Sequence, residues 1–310
     1  MTEIVPRLLD MLEQRGWKGR IVRVERLVDL KEAIDDRYAR GLLDEALYRE
    51  QLGALSFDLP EELPEARSII VVAVPVPQVR IVLRWKGERR AVVVPPTYVA
   101  YSATTARVQA ILAAWIEQAG YRAAKPSLPL KTLAVGSGLA EYGRNNICYV
   151  RGMGSFIQLV ASFSDLPCTH DTWREPRALE RCESCVACLQ RCPTGAIPRD
   201  RFLLHAERCL TYHNEGADDL PAWVDPSWHH CLVGCMRCQS VCPENKTVLG
   251  WFDDRAEFSE QETALLVERV PLELLPSETA TKLQGLEINE DYQILCRNLS
   301  LLVGQATSVT

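Results

Sequence analysis

The residues of this sequence best suited to chemistry are its cysteines, because a thiolate is both a metal ligand and a nucleophile. The 310-residue chain contains 12 cysteines, most of them between Cys182 and Cys242. The first four of this group are separated by two, two and three residues and are followed by a proline: Cys182, Cys185, Cys188 and Cys192. This spacing is typical of [4Fe–4S] ligands, in which three thiolates of one tight loop reach one cluster and the fourth reaches its neighbour.

A second motif downstream supplies the remaining ligands. It consists of Cys209 and of the run Cys235, Cys238 and Cys242, which also ends in a proline. Because the last cysteine of each run crosses to the other cluster, the sequence predicts two [4Fe–4S] clusters, here named cluster one and cluster two. The predicted ligands are Cys182, Cys185, Cys188 and Cys242 for cluster one, and Cys192, Cys209, Cys235 and Cys238 for cluster two.

Zinc is the alternative metal, since cysteines two residues apart are common zinc ligands. Three closely spaced cysteines followed by a Cys-Pro pair favour iron–sulfur clusters instead. Among the other cysteines, Cys231 lies four residues before Cys235 and is an alternative ligand. Cys148 and Cys296 lie in apolar sequence and are predicted to be core residues, whereas Cys168 borders the cluster region and is either a functional thiol or a plain one.

Composition indicates an ordinary globular protein, with 47% hydrophobic and 25% charged residues. The formal net charge is −6, whereas nucleic-acid-binding proteins usually present a basic surface. The N-terminus does not resemble a signal peptide, and no apolar stretch approaches the roughly 18–20 residues needed to span a bilayer. We therefore expect a cytoplasmic protein without membrane or nucleic-acid partners, whose cysteines bind metal rather than form disulfides.

The elements that position these motifs follow from apolar periodicity. A continuous β-branched run at residues 68–75 predicts a buried strand, and the segments flanking residues 86–88 predict a hairpin with strands at 79–85 and 90–94. Other predicted elements are strands at 21–24 and 156–163 and helices at 3–15, 30–40, 44–52, 101–119, 259–268, 277–284 and 291–302. The predicted domains are an α/β domain at 1–166, a cluster domain at 167–250 and a helical segment at 251–310.

Several segments beyond the cysteines resemble epoxyqueuosine reductases and, more distantly, reductive dehalogenases. Residues 234–243 resemble the second cluster motif of that family, and residues 138–145 resemble its glycine-rich loop. Other segments that resemble it are 192–197, 63–70, 154–165 and 297–302. The resemblance extends from near Leu63 to Gly304, and the combination of cluster motifs with the glycine-rich loop is what points to this family.

The resemblance implies an α+β fold: an α/β, nitroreductase-like domain that binds cobalamin, a bacterial-ferredoxin-like double [4Fe–4S] domain and a helical C-terminal segment. It also implies that a corrinoid lies between the first domain and the clusters. Glycine allows the backbone to approach a planar ligand closely, and asparagine can hydrogen-bond corrin amides. The residues implied to bind it are Gly138, Gly143, Asn145, Asn146, Gly154 and Ser155. A plain glycine-rich turn is the alternative.

The sequence departs from the family at the proton donor. Ala103 stands where epoxyqueuosine reductases have a catalytic aspartate, and Glu141 replaces a tryptophan of the glycine-rich loop. Reductive dehalogenases use a tyrosine as proton donor, so the candidate donors here are Tyr98, Tyr101 and Glu141. The alternative is that both tyrosines only pack against the domain, with their hydroxyls bonded.

Three functions follow from this interpretation. The first is a corrinoid-dependent reductase that passes electrons through two clusters to cobalamin and then to a small organic substrate, with ferredoxin or flavodoxin as external donor. The second is a non-enzymatic electron-transfer or reductive-activation protein for a corrinoid partner, which the missing acid favours. The third is modification of epoxyqueuosine in tRNA, which net charge and the lack of a recognisable helical-repeat domain disfavour.

Overall fold

The computed structural model describes residues 4–288 and 291–304. Glu3, the predicted first residue of the N-terminal helix, lies outside the described residues. Within the described ranges, none of the helices combines the length and the apolar character that crossing a membrane requires.

The strands of the described chain vary from two to eight residues in length. They are β1 (Lys18–Arg23), β2 (Ser68–Pro75), β3 (Gln78–Trp85), β4 (Glu88–Val94), β5 (Ala123–Ala124), β6 (Glu141–Tyr142), β7 (Cys148–Tyr149), β8 (Ile157–Ser164) and β9 (Phe252–Phe258).

The helices range from single turns to the 18-residue α4. They are α1 (Ile4–Glu13), α2 (Arg26–Ala39), α3 (Glu45–Leu47), α4 (Tyr101–Gln118), α5 (Leu130–Gly136), α6 (Ala187–Arg191), α7 (Leu210–Glu215), α8 (Arg237–Ser240), α9 (Glu260–Val267), α10 (Ser277–Gly285) and α11 (Tyr292–Gly304). A π-helical turn, Tyr48–Leu52, continues α3, so the predicted helix at 44–52 is only partly α-helical.

The chain forms two compact units, each assembled from segments that are not consecutive. The first unit contains the residues up to Pro75, Ala103–Val186 and Ile197–Glu207. The second contains Val76–Ser102, Ala187–Ala196 and the residues from Arg208 onward. This division by contacts differs from the three consecutive domains that the sequence predicted.

The first unit is built on a four-stranded sheet of order β1-β2-β8-β5. β2 and β8 pair along their full lengths, with Ser68 opposite Ser164 and Pro75 opposite Ile157. Both strands are buried almost throughout, which confirms the burial predicted for them. α5 packs on these two strands and completes the apolar core of the unit.

The strand directions correct one expectation. Each neighbouring pair in this sheet is antiparallel, whereas an α/β domain has a mostly parallel sheet. A buried apolar run reveals that a strand is covered on both faces but carries no information on its direction. The mixed α+β class of the whole chain is confirmed, and the α/β description of its first part is wrong.

The second unit contains a three-stranded sheet of order β4-β3-β9. β3 and β4 form the predicted hairpin, and Lys86 and Gly87 at its turn have φ values of 52° and 76°. Two successive positive φ values are typical of a type I′ turn, whose twist suits the flanking strands. The hairpin had been assigned to the first domain, but it pairs through β3 with β9 inside the second unit.

Strand β9 was missed because its sequence is acidic. It runs parallel to β3 and is joined to the hairpin by ion pairs. Arg80 donates to Asp254, and Arg84 and Arg89 donate to Glu257 at 2.6 and 2.7 Å. Exposed pairs of this kind contribute little individually, but the complementary charges of the two segments were the available sequence signal.

The predicted C-terminal helices are confirmed as α9, α10 and α11. α9 begins at a capping box, in which the Ser259 hydroxyl accepts from the Glu262 N–H and the Glu262 carboxylate accepts from the Ser259 N–H. Such reciprocal bonds satisfy two backbone donors at a helix start. Apolar residues of α9 and α11 pack with those of β3 to form the core of the second unit.

Candidate metal centre

The predicted ligands of cluster two all lie in the second unit. Cys192 directly follows α6, Cys209 directly precedes α7, and Cys235 and Cys238 lie at the start of α8. α6 and α8 pack against each other. Cys192 lies close enough to Cys209 to raise the pKa of its thiol, and Cys209 lies close enough to Cys235 to raise the pKa of that thiol. Cysteines from three separate parts of the sequence are therefore brought together.

The surroundings of these thiols disfavour free thiolates. Burial raises the pKa of Cys209 and of Cys235, and neighbouring thiols raise it further. A bound metal reverses this effect, because a coordinated thiol is deprotonated outright. The donor set and its burial therefore fit cysteines that are bound to iron.

Among the residues that the structure describes, no cysteine forms a disulfide. In the part of the chain that the structure describes, no three Cys, His, Asp or Glu side chains are arranged to hold a metal ion. The thiolates of a [4Fe–4S] cluster bind different irons, so they need not converge on one point as the ligands of a single ion must.

The predicted ligands of cluster one are divided, with Cys182 and Cys185 in the first unit and Cys188 and Cys242 in the second. Within the first unit, Arg144 contacts Cys182 twice. Its backbone N–H donates to the Cys182 sulfur at 3.4 Å, and its guanidinium donates to the Cys182 carbonyl oxygen at 2.6 Å. Sequence analysis did not find this contact, and the grouping of cluster one stays a prediction from spacing.

A buried polar network on α11 supports the second unit. The Arg297 guanidinium donates to four backbone carbonyls in the segment 213–218. The Asn298 amide donates to the Asn214 carbonyl at 2.8 Å, and the Asn214 amide donates to the Gly234 carbonyl at 2.8 Å. The network therefore links the segment that follows one cluster-two ligand to the residue that precedes another.

The loop between Cys235 and Cys238 is held by a half-buried histidine, His230. His230 Nε2 accepts from the Met236 N–H at 3.0 Å, and Nδ1 donates to the Trp228 carbonyl at 3.2 Å. Burial, followed by the charge of Arg237, lowers the pKa of His230 to about 4. The imidazole is therefore neutral near pH 7, as these two bonds require.

The remaining cysteines are placed largely as predicted. Cys148 and Cys296 lie in the apolar cores of the first and second units, and Cys168 is half-buried. Cys231 is buried beside Cys235, and burial raises the pKa of its thiol to about 12. Cys231 thus lies near the cluster-two ligands, and its role as an alternative ligand stays open.

The glycine-rich loop is a tight turn that is closed by its own bonds. The Gly143 N–H donates to the Ile147 carbonyl at 2.8 Å. A Cβ at Gly143 would lie 2.5 Å from Asn145 Oδ1 and from the Tyr149 ring. The buried Asn145 accepts from the Ile147 N–H and donates to the Tyr149 hydroxyl. Asn146 donates to the carbonyl of Phe202. The loop is therefore packed against the chain itself.

These contacts do not fit the corrinoid role that the resemblance implied for the loop. That role needs the glycine backbone and both amides to face a ligand, yet Gly143, Asn145 and Asn146 make contacts within the protein. Gly138 is covered by the Arg174 side chain, whose Nε would lie 3.4 Å from an added Cβ. Gly154 adopts a positive φ and Ser155 is buried, so their corrinoid role stays a prediction.

The three candidate proton donors lie in different units. Tyr98 and Tyr101 belong to the second unit, whereas Glu141 lies half-buried on β6 in the first. The Tyr98 ring packs so closely on Gly234 that an added Cβ would lie 2.5 Å from it. The Tyr98 hydroxyl is hydrogen-bonded to the Glu215 carboxylate. Tyr98 therefore lies beside the loop that carries two cluster-two ligands.

Comparison with known proteins agrees with this organisation. Residues 181–245 match the family model of the 4Fe-4S double cluster binding domain. The epoxyqueuosine reductase of Pseudomonas aeruginosa is 32% identical over 196 residues, which are 61% of this chain and 52% of that protein. The chain thus spans about half the length of this curated relative.

Solved epoxyqueuosine reductases share the fold. The structure from Streptococcus thermophilus aligns with a TM-score of 0.68 and 18% identity over 97% of this chain and 81% of that one. Another, in complex with an epoxyqueuosine-modified tRNA stem loop, aligns with a TM-score of 0.67 and 19% identity, with the same coverage of both chains.

That neighbour binds a modified tRNA stem loop, whereas the net charge of this chain predicted no nucleic-acid partner. The total charge of a chain does not describe the local surface that meets a ligand. The matched cluster domain, the sequence identity and the shared fold lead to one conclusion: this chain is similar to the epoxyqueuosine reductases in sequence and fold, and its residues 181–245 match the 4Fe-4S double cluster binding domain.

Proposed function

We propose that this chain is an iron–sulfur reductase that passes electrons through two [4Fe–4S] clusters to an oxidised organic group. The observation that carries the proposal is that the half-buried residues Cys192, Cys209 and Cys235 lie close together in a double-cluster domain. Two clusters suit a two-electron reduction that is fed one electron at a time. The external reductant is a one-electron donor of the ferredoxin or flavodoxin class.

The substrate class comes from the relatives, which are named for epoxyqueuosine and one of which binds a modified tRNA stem loop. We propose an epoxide-bearing modified nucleoside in tRNA. Reducing an epoxide consumes two electrons and two protons. Either both C–O bonds break, giving an alkene and water, or one C–O bond breaks and a C–H bond forms, giving an alcohol. A free small molecule is the competing substrate, and the experiment below separates the two.

Tyr98 is the proton donor that its surroundings support best. Its hydroxyl donates to the Glu215 carboxylate. Once Glu215 has taken a proton from solvent, its carboxyl group can return that proton to the Tyr98 phenolate. Proton transfer to a reacting group requires such a donor within hydrogen-bond reach. Tyr101 and Glu141 remain the other candidates.

Cobalamin has no step in this proposal. The resemblance assigned the glycine-rich loop to a corrinoid. In the structure the side-chain amides of Asn145 and Asn146 donate to the Tyr149 hydroxyl and the Phe202 carbonyl. A corrinoid at this loop would have to displace those bonds. Retention of added cobalamin after desalting is a separate test of the implied cofactor.

Reductase activity is tested by mixing anaerobically reduced protein with a tRNA stem loop that carries epoxyqueuosine. We expect the visible absorbance of oxidised clusters to return while mass spectrometry shows the nucleoside reduced. An unmodified stem loop is the control, and the free nucleoside tests the small-molecule alternative. If neither modified substrate reoxidises the clusters, the proposed substrate class is wrong.

A second candidate function is electron transfer without catalysis, and Ala103 in place of the family's acid favours it. Such a protein would exchange electrons with a redox partner and reduce no organic group. Clusters that are reoxidised by a partner protein but by neither nucleoside substrate would favour this function.

A further inference from the structure

We propose that Arg144 is a positioning residue of cluster one, which holds Cys182 in place and raises the reduction potential of the cluster. This inference rests on the proposed function, since it needs the two clusters. It gives the glycine-rich loop a task other than the corrinoid binding that its contacts do not fit.

Arg144 contacts Cys182 at two points. The Arg144 N–H donates to the Cys182 sulfur at 3.4 Å, and the guanidinium donates to the Cys182 carbonyl at 2.6 Å. One residue therefore holds both the ligand atom and the backbone of Cys182. A cluster-bound thiolate has no proton, so the backbone N–H is the only possible donor between these two atoms.

The loop that carries Arg144 is held rigid by hydrogen bonds. Gly143 and Asn146 close the turn, with the Asn146 N–H donating to the Gly143 carbonyl at 2.9 Å. Asn146 has a φ of 55° and also accepts from the Leu204 N–H through its side chain. A turn held on both sides keeps the Arg144 N–H aimed at the sulfur, and such preorganisation is what fixed dipoles need to act at a metal centre.

The Arg144 guanidinium has a further N–H group that can donate a hydrogen bond. Arg144 Nε is buried and has no hydrogen-bond partner among the residues that the structure describes. A buried donor without an acceptor costs free energy, and a cluster at Cys182 would bring sulfur acceptors and negative charge to this side of the first unit. The orphaned donor therefore fits a bound iron–sulfur cluster.

The electrostatic consequence has a definite sign. Reduction adds one negative charge to a cluster, and hydrogen bonds to its sulfurs and nearby positive charge stabilise the reduced form more than the oxidised form. Removing the Arg144 cation must therefore lower the reduction potential of cluster one and leave that of cluster two unchanged.

The test is an anaerobic redox titration followed by electron paramagnetic resonance of wild type, Arg144→Met and Arg144→Lys. For Arg144→Met we expect one of the two clusters to shift to lower potential, so that its reduced-to-oxidised ratio at fixed solution potential falls about tenfold, or about 59 mV for one electron. Arg144→Lys keeps the cation and should shift less. The signal that shifts should be the one that is lost in Cys182→Ser.

Arg174→Met is the matched control. Arg174 also lies over the glycine-rich loop, and its buried Nε also has no partner within residues 4–288 and 291–304, but its guanidinium donates to the Ala140 carbonyl. We expect both potentials to be unchanged in this variant. An equal shift in Arg174→Met, or no shift in an Arg144→Met protein with full iron content, overturns the inference.

Loss of iron from the methionine variant is also decisive. If Arg144→Met loses cluster one and Arg144→Lys retains it, the cation and its donors hold the cluster as proposed. If both variants lose it, the positioning role of the side-chain charge is wrong. Wild-type protein with fewer than two clusters would instead reject the proposed function, so the two failures are distinguishable.

Discussion

The cysteine segments and the glycine-rich loop differ in how far their chemistry can be inferred from sequence. The roles of Cys192, Cys209 and Cys235 followed from spacing alone, and the structure brings these residues together. The corrinoid-binding role of the loop was implied by resemblance, but in the structure Asn145 and Asn146 form hydrogen bonds within the protein. The spacing of cluster ligands is local, because a short loop must bring its thiolates to one cluster. The hydrogen-bond partners of a loop amide can lie on segments that are distant in sequence.

The largest effect is the loss of iron that we expect when Cys209, a predicted cluster-two ligand, is replaced. Cys209→Ser should lose cluster two and retain only about half of the iron, since four of about eight irons belong to each cluster. Cys168→Ser, at a half-buried cysteine outside the predicted ligands, is the control and should keep all of it. Iron analysis of anaerobically purified protein gives the answer, and equal iron in the two variants would remove Cys209 from the ligand set.

The network that supports the cysteine segments comes next. Arg297→Met keeps the volume of the side chain but leaves four backbone carbonyls without their donor. Because removing one partner from a buried charged network is costly, we expect the free energy of unfolding to fall by about 3 kcal/mol. Chemical denaturation under anaerobic conditions measures it.

Two controls accompany Arg297→Met. Arg297→Lys keeps a cation and should lose less stability. Arg255 also donates to backbone carbonyls, but its side chain is 21% exposed, so Arg255→Met should have a smaller effect than Arg297→Met. Equal losses of unfolding free energy in Arg255→Met and Arg297→Met would show that the buried network stabilises the fold no more than an exposed one.

Gly143→Ala tests whether the glycine-rich loop is structural. Its Cβ would lie 2.5 Å from Asn145 and from the Tyr149 ring, and such overpacking usually costs about 1–3 kcal/mol. Gly250→Ala, whose new Cβ has no atom of the described chain within 4 Å, should change the unfolding free energy by less than about 0.5 kcal/mol. Similar values for the two variants would mean that the loop is open enough to receive a ligand.

The smallest effect is expected at Asn146, where the two interpretations of the loop diverge most directly. Asn146→Ala removes the bonds to Phe202 and Leu204 and should cost about 1–2 kcal/mol. Asn146→Gly should cost less, because glycine adopts the positive φ of 55° without strain. Cobalamin that is retained on wild type but lost from Asn146→Ala after desalting would favour the corrinoid interpretation.

The fold was predictable where the signal was local. The buried strands at 68–75 and 156–163, the hairpin and the C-terminal helices each carry their own periodicity or capping residues. β9 was missed because its pairing with β3 depends on charges more than 160 positions away, such as Arg80 with Asp254. Strand direction in the first unit was also hidden, since burial does not depend on it.

The candidate site divides in the same way. The cysteine ligands are recognised from the sequence motif, but the residues that hold them in place belong to no motif and lie elsewhere in the sequence. His230 precedes its partner loop with no spacing rule, and Arg297 reaches carbonyls that are about 80 positions away. An arginine followed by an asparagine inside an apolar helix was the only local hint of the second, and Arg144 beside a glycine was the only hint of the contact to Cys182.

The content of iron and acid-labile sulfide in wild-type protein purified without oxygen tests the central claim most directly. Two clusters require about eight irons and eight sulfides per chain, with zinc in trace amounts only. About four irons, or stoichiometric zinc without sulfide, would contradict the two-cluster centre on which the proposed reductase depends.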